Sequence, residues 1–158
     1  QASPVTIHLA GGGEQSAFLR RKAIELELGK QVSFVGHIEH SKMPDALRSA
    51  SVYVSMSLSD GASISLLEAM ACGAFPVVSD IPANREWVTD GVNGYLVSPN
   101  SPEKLADRIN DAWNHLELRE AAAKHNWSMI REKGDYRKNM AIIESAFMRL
   151  ATHTTGRR

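Results

Sequence analysis

Two carboxylates, Asp60 and Glu68, stand eight residues apart in the run SLSDGASISLLEAMACGAFPVVSD, residues 57–80. A glycine-bearing loop lies between them and leads into a short apolar helix, which the pattern ends at Gly73, where an apolar strand follows at once. A loop of small residues at a helix N-terminus carries free backbone N–H groups and the positive end of the helix dipole. Both attract a phosphate or another electron-rich group. About one turn into the helix, Glu68 is placed to accept hydroxyl hydrogens from a neutral polyol such as a ribose. The same stretch also has a purely structural reading. Ser65-Leu66-Leu67-Glu68 fits a capping box in which Glu68 satisfies an orphan N–H, with Leu66, Leu67, Met70 and Ala71 as core contacts. Periodicity does not separate the two readings.

Three further groups could do chemistry. Gly11-Gly12-Gly13 follows a strand pattern and precedes a helical one, the position of a phosphate-cradling loop. The chain continues Glu14-Gln15-Ser16, which is not a dinucleotide fingerprint, and Gly36 and His37 stand where an acid would take a ribose hydroxyl. Both points argue against NAD, and a tight strand-to-helix turn explains the glycines equally well. His37, Glu39 and His40 cluster after the second strand. Their spacing matches no recognised metal geometry, so no metal or other cofactor is expected. A loop that reads a nucleobase edge through polar groups suits them better. No Ser-His-Asp order or nucleophile elbow is visible. Asp60 and Glu68 also have the residue types of a glycosidase pair, but their separation is not legible in the sequence. Trp87, Trp113 and Trp127 read as packing anchors and Arg85 as a surface residue.

The elements that must position these groups alternate from the start. Residues 5–10 read as a buried strand, 14–28 as a helix stopped by Gly29, and 32–35 as a second strand. Pro44 opens a short helix to residue 49, at a position that needs no N–H. Strands at 52–54, 75–78 and 95–97 and a helix at 64–72 follow, with a helical turn at 84–88. From Ser101 the pattern is helical, over 102–113, 116–124 and 136–150, broken around Asn126 and Gly134. This order predicts an α/β fold, a Rossmann-like parallel sheet with helices on both faces, in which ligands collect at the carboxyl ends of the strands. The chain has 158 residues, 43% of them hydrophobic, enough for one core and hence one domain over 1–150, with a polar tail at 151–158. Lysine plus arginine equal aspartate plus glutamate at 18 each, which argues against a nucleic-acid surface. No apolar run approaches a membrane span of about 20 residues. Cys72, the single cysteine, excludes an internal disulfide and reads as a buried structural thiol. The expectation is a soluble cytoplasmic domain.

The strings SDGASISLLEAMACGAFPVVSD and EWVTDGVNGYLV, with the GGG turn, VSFVGHI and LRSASVYVSMS, resemble the donor-binding half of GT-B retaining glycosyltransferases of the family 4 group. The resemblance runs over residues 5–114 in the family's order. It implies transfer of a hexose from a nucleotide-diphosphate sugar, without a metal, to a glycan or lipid acceptor. The family's E-x7-E motif falls on Asp60 and Glu68. This implies that Glu68 hydrogen-bonds the ribose and that Asp60 faces the transferred sugar, with aspartate standing one methylene short of the family's glutamate. It likewise implies that the Gly61, Ala62, Ser63 and Ile64 amides approach sugar and phosphate, and that His37, Ile38 and Glu39 hold the base. Gly12 and Gly13 join the donor site on the same ground. A first strand with a basic pair for the diphosphate and an N-terminal acceptor domain belong to the family pattern and are not in this sequence. The isolated chain is therefore expected to be inactive and prone to self-association. Peripheral membrane association belongs to the full enzyme on this reading. A non-catalytic nucleotide-sugar binding module and a sugar-nucleotide epimerase are the rival readings. A phosphorylase would want a pyridoxal-phosphate lysine, and no lysine stands convincingly in a site loop.

Overall fold

The computed structural model describes residues 5–155, with side chains described through Ala151. The chain divides into two compact units, Gln1–Met43 and Pro44–Arg158, and its strands form two parallel sheets rather than the single sheet expected. Each strand finds its hydrogen-bond partner inside its own unit.

In the first unit β1 (Ile7–Ala10) pairs in parallel with β2 (Val32–Gly36), and α1 (Ser16–Glu25) connects them. The register slips between Leu9 and Ala10, so that Ala10 meets Gly36. β1 is not the buried strand its apolar residues predict: Ile7 is 44% and Leu9 38% exposed. It has one neighbouring strand, and no residue of α1 is buried. The helix also ends earlier than its periodicity suggests. Glu27 takes a left-handed φ of 53°, while its N–H bonds to Ile24 O and that of Leu28 reaches back to Ala23 O, the closing pattern of a helix C-terminus.

The second unit carries the main core. β3 (Val52–Ser55), β4 (Phe75–Ser79) and β5 (Tyr95–Val97) form a parallel sheet with β4 in the centre and all five of its residues buried. That burial explains the unbroken apolar run FPVVS, since a central parallel strand is covered on both faces. Phe75 and Val77 pack with Tyr95 and Val97 against Ala112 of α5 (Pro102–Asn114) and Ala122 of α6 (Leu116–Lys133). Val78, facing the other way, packs with Leu66 and Met70 of α3 (Ile64–Cys72). α3 stops at Gly73, whose φ of 89° only glycine adopts at little cost, and the Ala74 N–H closes it on Ala69 O at 3.0 Å. Cys72, at its end, is half-buried rather than buried.

The remaining helices are α2 (Met43–Ser49), α4 (Pro82–Arg85) and α7 (Tyr136–Thr155). α4 begins two residues before the turn read from the sequence, because Pro82 opens it. α6 runs unbroken through Asn126, where the sequence suggests a break. The asparagine is fully buried and spends its amide on a distant partner: Asn93 Nδ2 donates to its Oδ1 at 2.8 Å, and its Nδ2 donates to Asn93 O at 3.0 Å. Beside it, Gly94 has no room for a side chain, since a Cβ would lie 2.6 Å from Pro76 Cγ and 2.8 Å from Pro76 O. α7 continues into the polar stretch expected as a tail, and residues 156–158 lie outside the described residues.

Candidate functional site

The acidic loop spans residues 56–63, between the carboxyl end of β3 and the start of α3. Both of its ends are tied down. Ser79 Oγ, at the end of β4, donates to Ser57 O at 2.6 Å, and Tyr53 OH lies 2.8 Å from Ser65 Oγ in the first turn of α3. Between these ties Asp60, Gly61 and Ala62 are exposed, Ser63 is buried, and the Ile64 N–H closes a tight turn on Ala62 O at 2.9 Å.

The capping box is not formed. Ser63 is the N-cap residue and makes no side-chain cap bond, and Ser65 already lies inside the helix with its hydroxyl against Tyr53. Glu68 is therefore not used to close the helix start. It is half-buried, and neither it nor Asp60 has a hydrogen-bond or ion-pair partner among the described residues. Two carboxylates thus stand on one loop–helix unit beside a helix start whose first N–H, that of Ile64, is already bonded to Ala62 O. An ordinary surface carboxylate near a helix start would share that freedom. What distinguishes this pair is the tied loop that holds them.

The first unit brings its own two candidate loops together. Gly11 N donates to Gly36 O at 2.7 Å, which joins the glycine turn after β1 to the loop after β2. Gly12 and Gly13 are exposed, with nothing within 4 Å of a would-be Cβ on either. His37 and Glu39 are exposed and Ile38 is half-buried, while Glu39 pairs with Lys42 at 3.0 Å. Among the described residues no three His, Cys, Asp or Glu side chains are grouped closely enough to hold a metal ion.

At the carboxyl ends of β4 and β5 the second unit has an open cavity of about 620 Å³, bordered by Asp80, Ser98, Lys104, Arg108 and Asp111. Several of its charges are already partnered. Arg85 grips Asp80 with Nε at 2.6 Å and Nη2 at 3.0 Å, and this hydrogen-bonded guanidinium holds the carboxyl below the usual aspartate range. Tyr95 OH donates to Asp111, and Arg108 lies 4.5 Å over the Tyr95 ring. Burial, with Asp111 adding to it, pushes the Tyr95 phenol up to about 12.

Sequence reasoning missed Ser79 and Asn84, which stand behind the acidic loop. The available signal was a small polar residue closing an apolar parallel strand at its ligand-facing end.

The profile of the family described as Glycosyl transferases group 1 matches residues 1–127. The chain belongs to that family. It is 29% identical over 147 residues to an uncharacterized glycosyltransferase of Methanocaldococcus jannaschii, covering 92% of this chain and 37% of that protein. It is 30% identical over 135 residues to the phosphatidyl-myo-inositol mannosyltransferase of Mycobacterium leprae, covering 80% of this chain and 35% of that one. Among solved structures it superposes on Anabaena Alr3699/HepE in complex with UDP-glucose with a TM-score of 0.80 at 25% identity, over 91% of this chain and 41% of that one. The likeness to S. aureus TarM in complex with UDP, at TM-score 0.80 and 23% identity over 87% of this chain and 28% of that one, shows the fold alone. This family member is thus a Rossmann-like domain matching one half of a GT-B glycosyltransferase. It spans about a third of the length of the curated relatives first compared. Among its described residues no helix is long and apolar enough to cross a membrane.

Proposed function

We propose that this chain is the donor nucleotide-sugar domain of a retaining hexosyltransferase of the family 4 group. The observation that carries the reading is the pair Asp60 and Glu68, unpartnered among the described residues and held on one tied loop–helix unit at the carboxyl end of β3. Glu68 accepts the ribose hydroxyls, Asp60 faces the hexose, and the amides of Gly61, Ala62 and Ser63 approach the sugar and the phosphates; the expected Ile64 amide is already bonded to Ala62 O. In the first unit His37, Ile38 and Glu39 hold the base, and Gly12 and Gly13 are donor-binding residues. Transfer proceeds without a metal, the departing diphosphate being stabilised by oriented donors. The acceptor is a glycan or lipid, bound by the remainder of a longer polypeptide that works in the cytoplasm, peripherally at a membrane where the acceptor is a lipid. The 158-residue chain alone transfers nothing.

The relative solved with UDP-glucose makes a uridine diphosphate sugar the first donor to try. Calorimetric titration of the chain with UDP, GDP and ADP, repeated on Glu68→Ala, tests the reading. Glu68 has no structural bond to lose, so the substitution leaves folding intact. It weakens the bound nucleotide roughly tenfold or more, as loss of a hydrogen bond to a charged acceptor does. Unchanged affinity in Glu68→Ala refutes the ribose role. Conversion of a nucleotide sugar by the full-length polypeptide without an acceptor supports an epimerase instead.

A further inference from the structure

Ser79 is fully buried at the end of β4, and its hydroxyl has a single proton, committed to Ser57 O at 2.6 Å. Its oxygen in turn accepts from Asn84 Nδ2 at 3.2 Å, and the same Nδ2 donates to Ser79 O at 2.8 Å. The Asn84 amide cannot be turned round. Flipped, its oxygen would face a carbonyl and a hydroxyl oxygen whose proton points elsewhere. As it stands, Asn84 Oδ1 is buried with no partner among the described residues, in a residue only 3% exposed. A buried acceptor left unpaired destabilises the fold, and an apolar residue of the same size would avoid it. Local conflicts of this kind are retained where the other half of the group has a task.

We infer that Ser79 and Asn84 are positioning residues for the acidic loop: Asn84 orients the Ser79 hydroxyl, which anchors Ser57 and so sets where Asp60 stands. The inference rests on the reading of Asp60 as the residue facing the donor sugar. The far end of the loop is held independently through Tyr53 and Ser65, on the helix that carries Glu68. Loss of the Ser79 anchor therefore frees the Asp60 side of the loop and leaves the Glu68 side in place. Sugar transfer falls while nucleotide affinity stays.

The test is Ser79→Ala, which keeps the Asn84 bond to the Ser79 carbonyl, with Ser79→Thr as the variant that keeps a hydroxyl. Backbone 15N order parameters of the ligand-free chain read the anchor alone. Residues 58–62 fall from the rigid range to below about 0.6 in Ser79→Ala, recover in Ser79→Thr, and β4 does not change. Equal loop values in wild type and Ser79→Ala overturn the anchor, as does a parallel loss of order along β4. In the full-length polypeptide, turnover of a nucleotide sugar falls roughly tenfold in Ser79→Ala, the effect of one lost buried hydrogen bond, while UDP affinity stays within about twofold. Unchanged turnover, or turnover and affinity falling together, overturns the catalytic half. A full-length polypeptide that binds no nucleotide refutes the donor reading, whereas the order parameters of the chain still decide the anchor.

Discussion

Asn126→Ala should destabilise the second unit far more than its place in the middle of a polar-looking helix suggests. The side chain is fully buried and exchanges two hydrogen bonds with Asn93, at 2.8 and 3.0 Å. Asn93 uses the rest of its amide on Trp87 O at 2.9 Å and Thr89 N at 2.7 Å, so each side-chain nitrogen and oxygen of the two residues has at least one partner. Truncation strips the donor from the buried Asn93 carbonyl, at about 1–3 kcal/mol, and leaves a small void, at about 1 kcal/mol more. The sum is about 2–4 kcal/mol, which for a chain of this size lowers the melting temperature by about 5–12 °C. Thermal and urea unfolding followed by far-UV circular dichroism measure it. Asn93→Ala and the double variant complete a cycle in which the two losses are less than additive by about 1 kcal/mol or more. A shift under about 0.5 kcal/mol, or strictly additive losses, would refute the claim that these amides act as a single buried unit.

Two glycines should separate backbone conformation from space. Gly73→Ala meets only Ala123 Cβ at an ordinary 3.9 Å but must hold φ at 89°, so it costs about 1 kcal/mol in urea unfolding. Gly94→Ala has an unexceptional φ but strikes the Pro76 carbonyl, which cannot swing aside, and costs more, towards about 3 kcal/mol. Tyr95 gives a pH signature. Its phenol rises from 10.0 to about 12 on folding, so the neutral form is favoured in the folded chain. That stability is complete below pH 10 and is lost as pH climbs to about 12, at most about 2–3 kcal/mol. The difference between wild-type and Tyr95→Phe urea midpoints, followed from pH 8 to 11, should shrink with rising pH; a constant difference would refute it.

The legible part of the fold is the part where one physical signal dominates. β5 and α3 match their expected bounds because Asn93-Gly94 and Gly73 punctuate them, and apart from Ser65 and Glu68 their residues are apolar or small. The exceptions have identifiable causes. Asn126 reads as a helix breaker because a free asparagine competes with its own backbone, but here the competing bonds are made to Asn93 and the helix continues. Residues 14–28 carry helical spacing to Leu28, yet the left-handed Glu27 ends the helix without the glycine that normally announces such a stop. The apolar pattern of β1 signals a strand correctly, but burial depends on what covers it, and no pattern within six residues contains that.

The proposed site is legible in the sequence in its acids and illegible in its support. Asp60 and Glu68 stand out because carboxylates beside a small-residue loop have few structural uses, and the one competing use, a capping box, depends on where the helix begins. One residue decides it: with Ser63 as N-cap, Ser65 falls inside the helix and Glu68 is released from any capping role. No sequence pattern fixes a helix start that closely. The support is harder still to read, because Ser57, Ser79 and Asn84 meet only when β3 and β4 lie side by side, across 22 residues of chain between the first two. Carboxylates are chosen for their chemistry and so declare themselves by type. The groups that aim them are chosen for position, and a serine at the end of a strand declares nothing until the sheet has brought a loop within 2.6 Å of it.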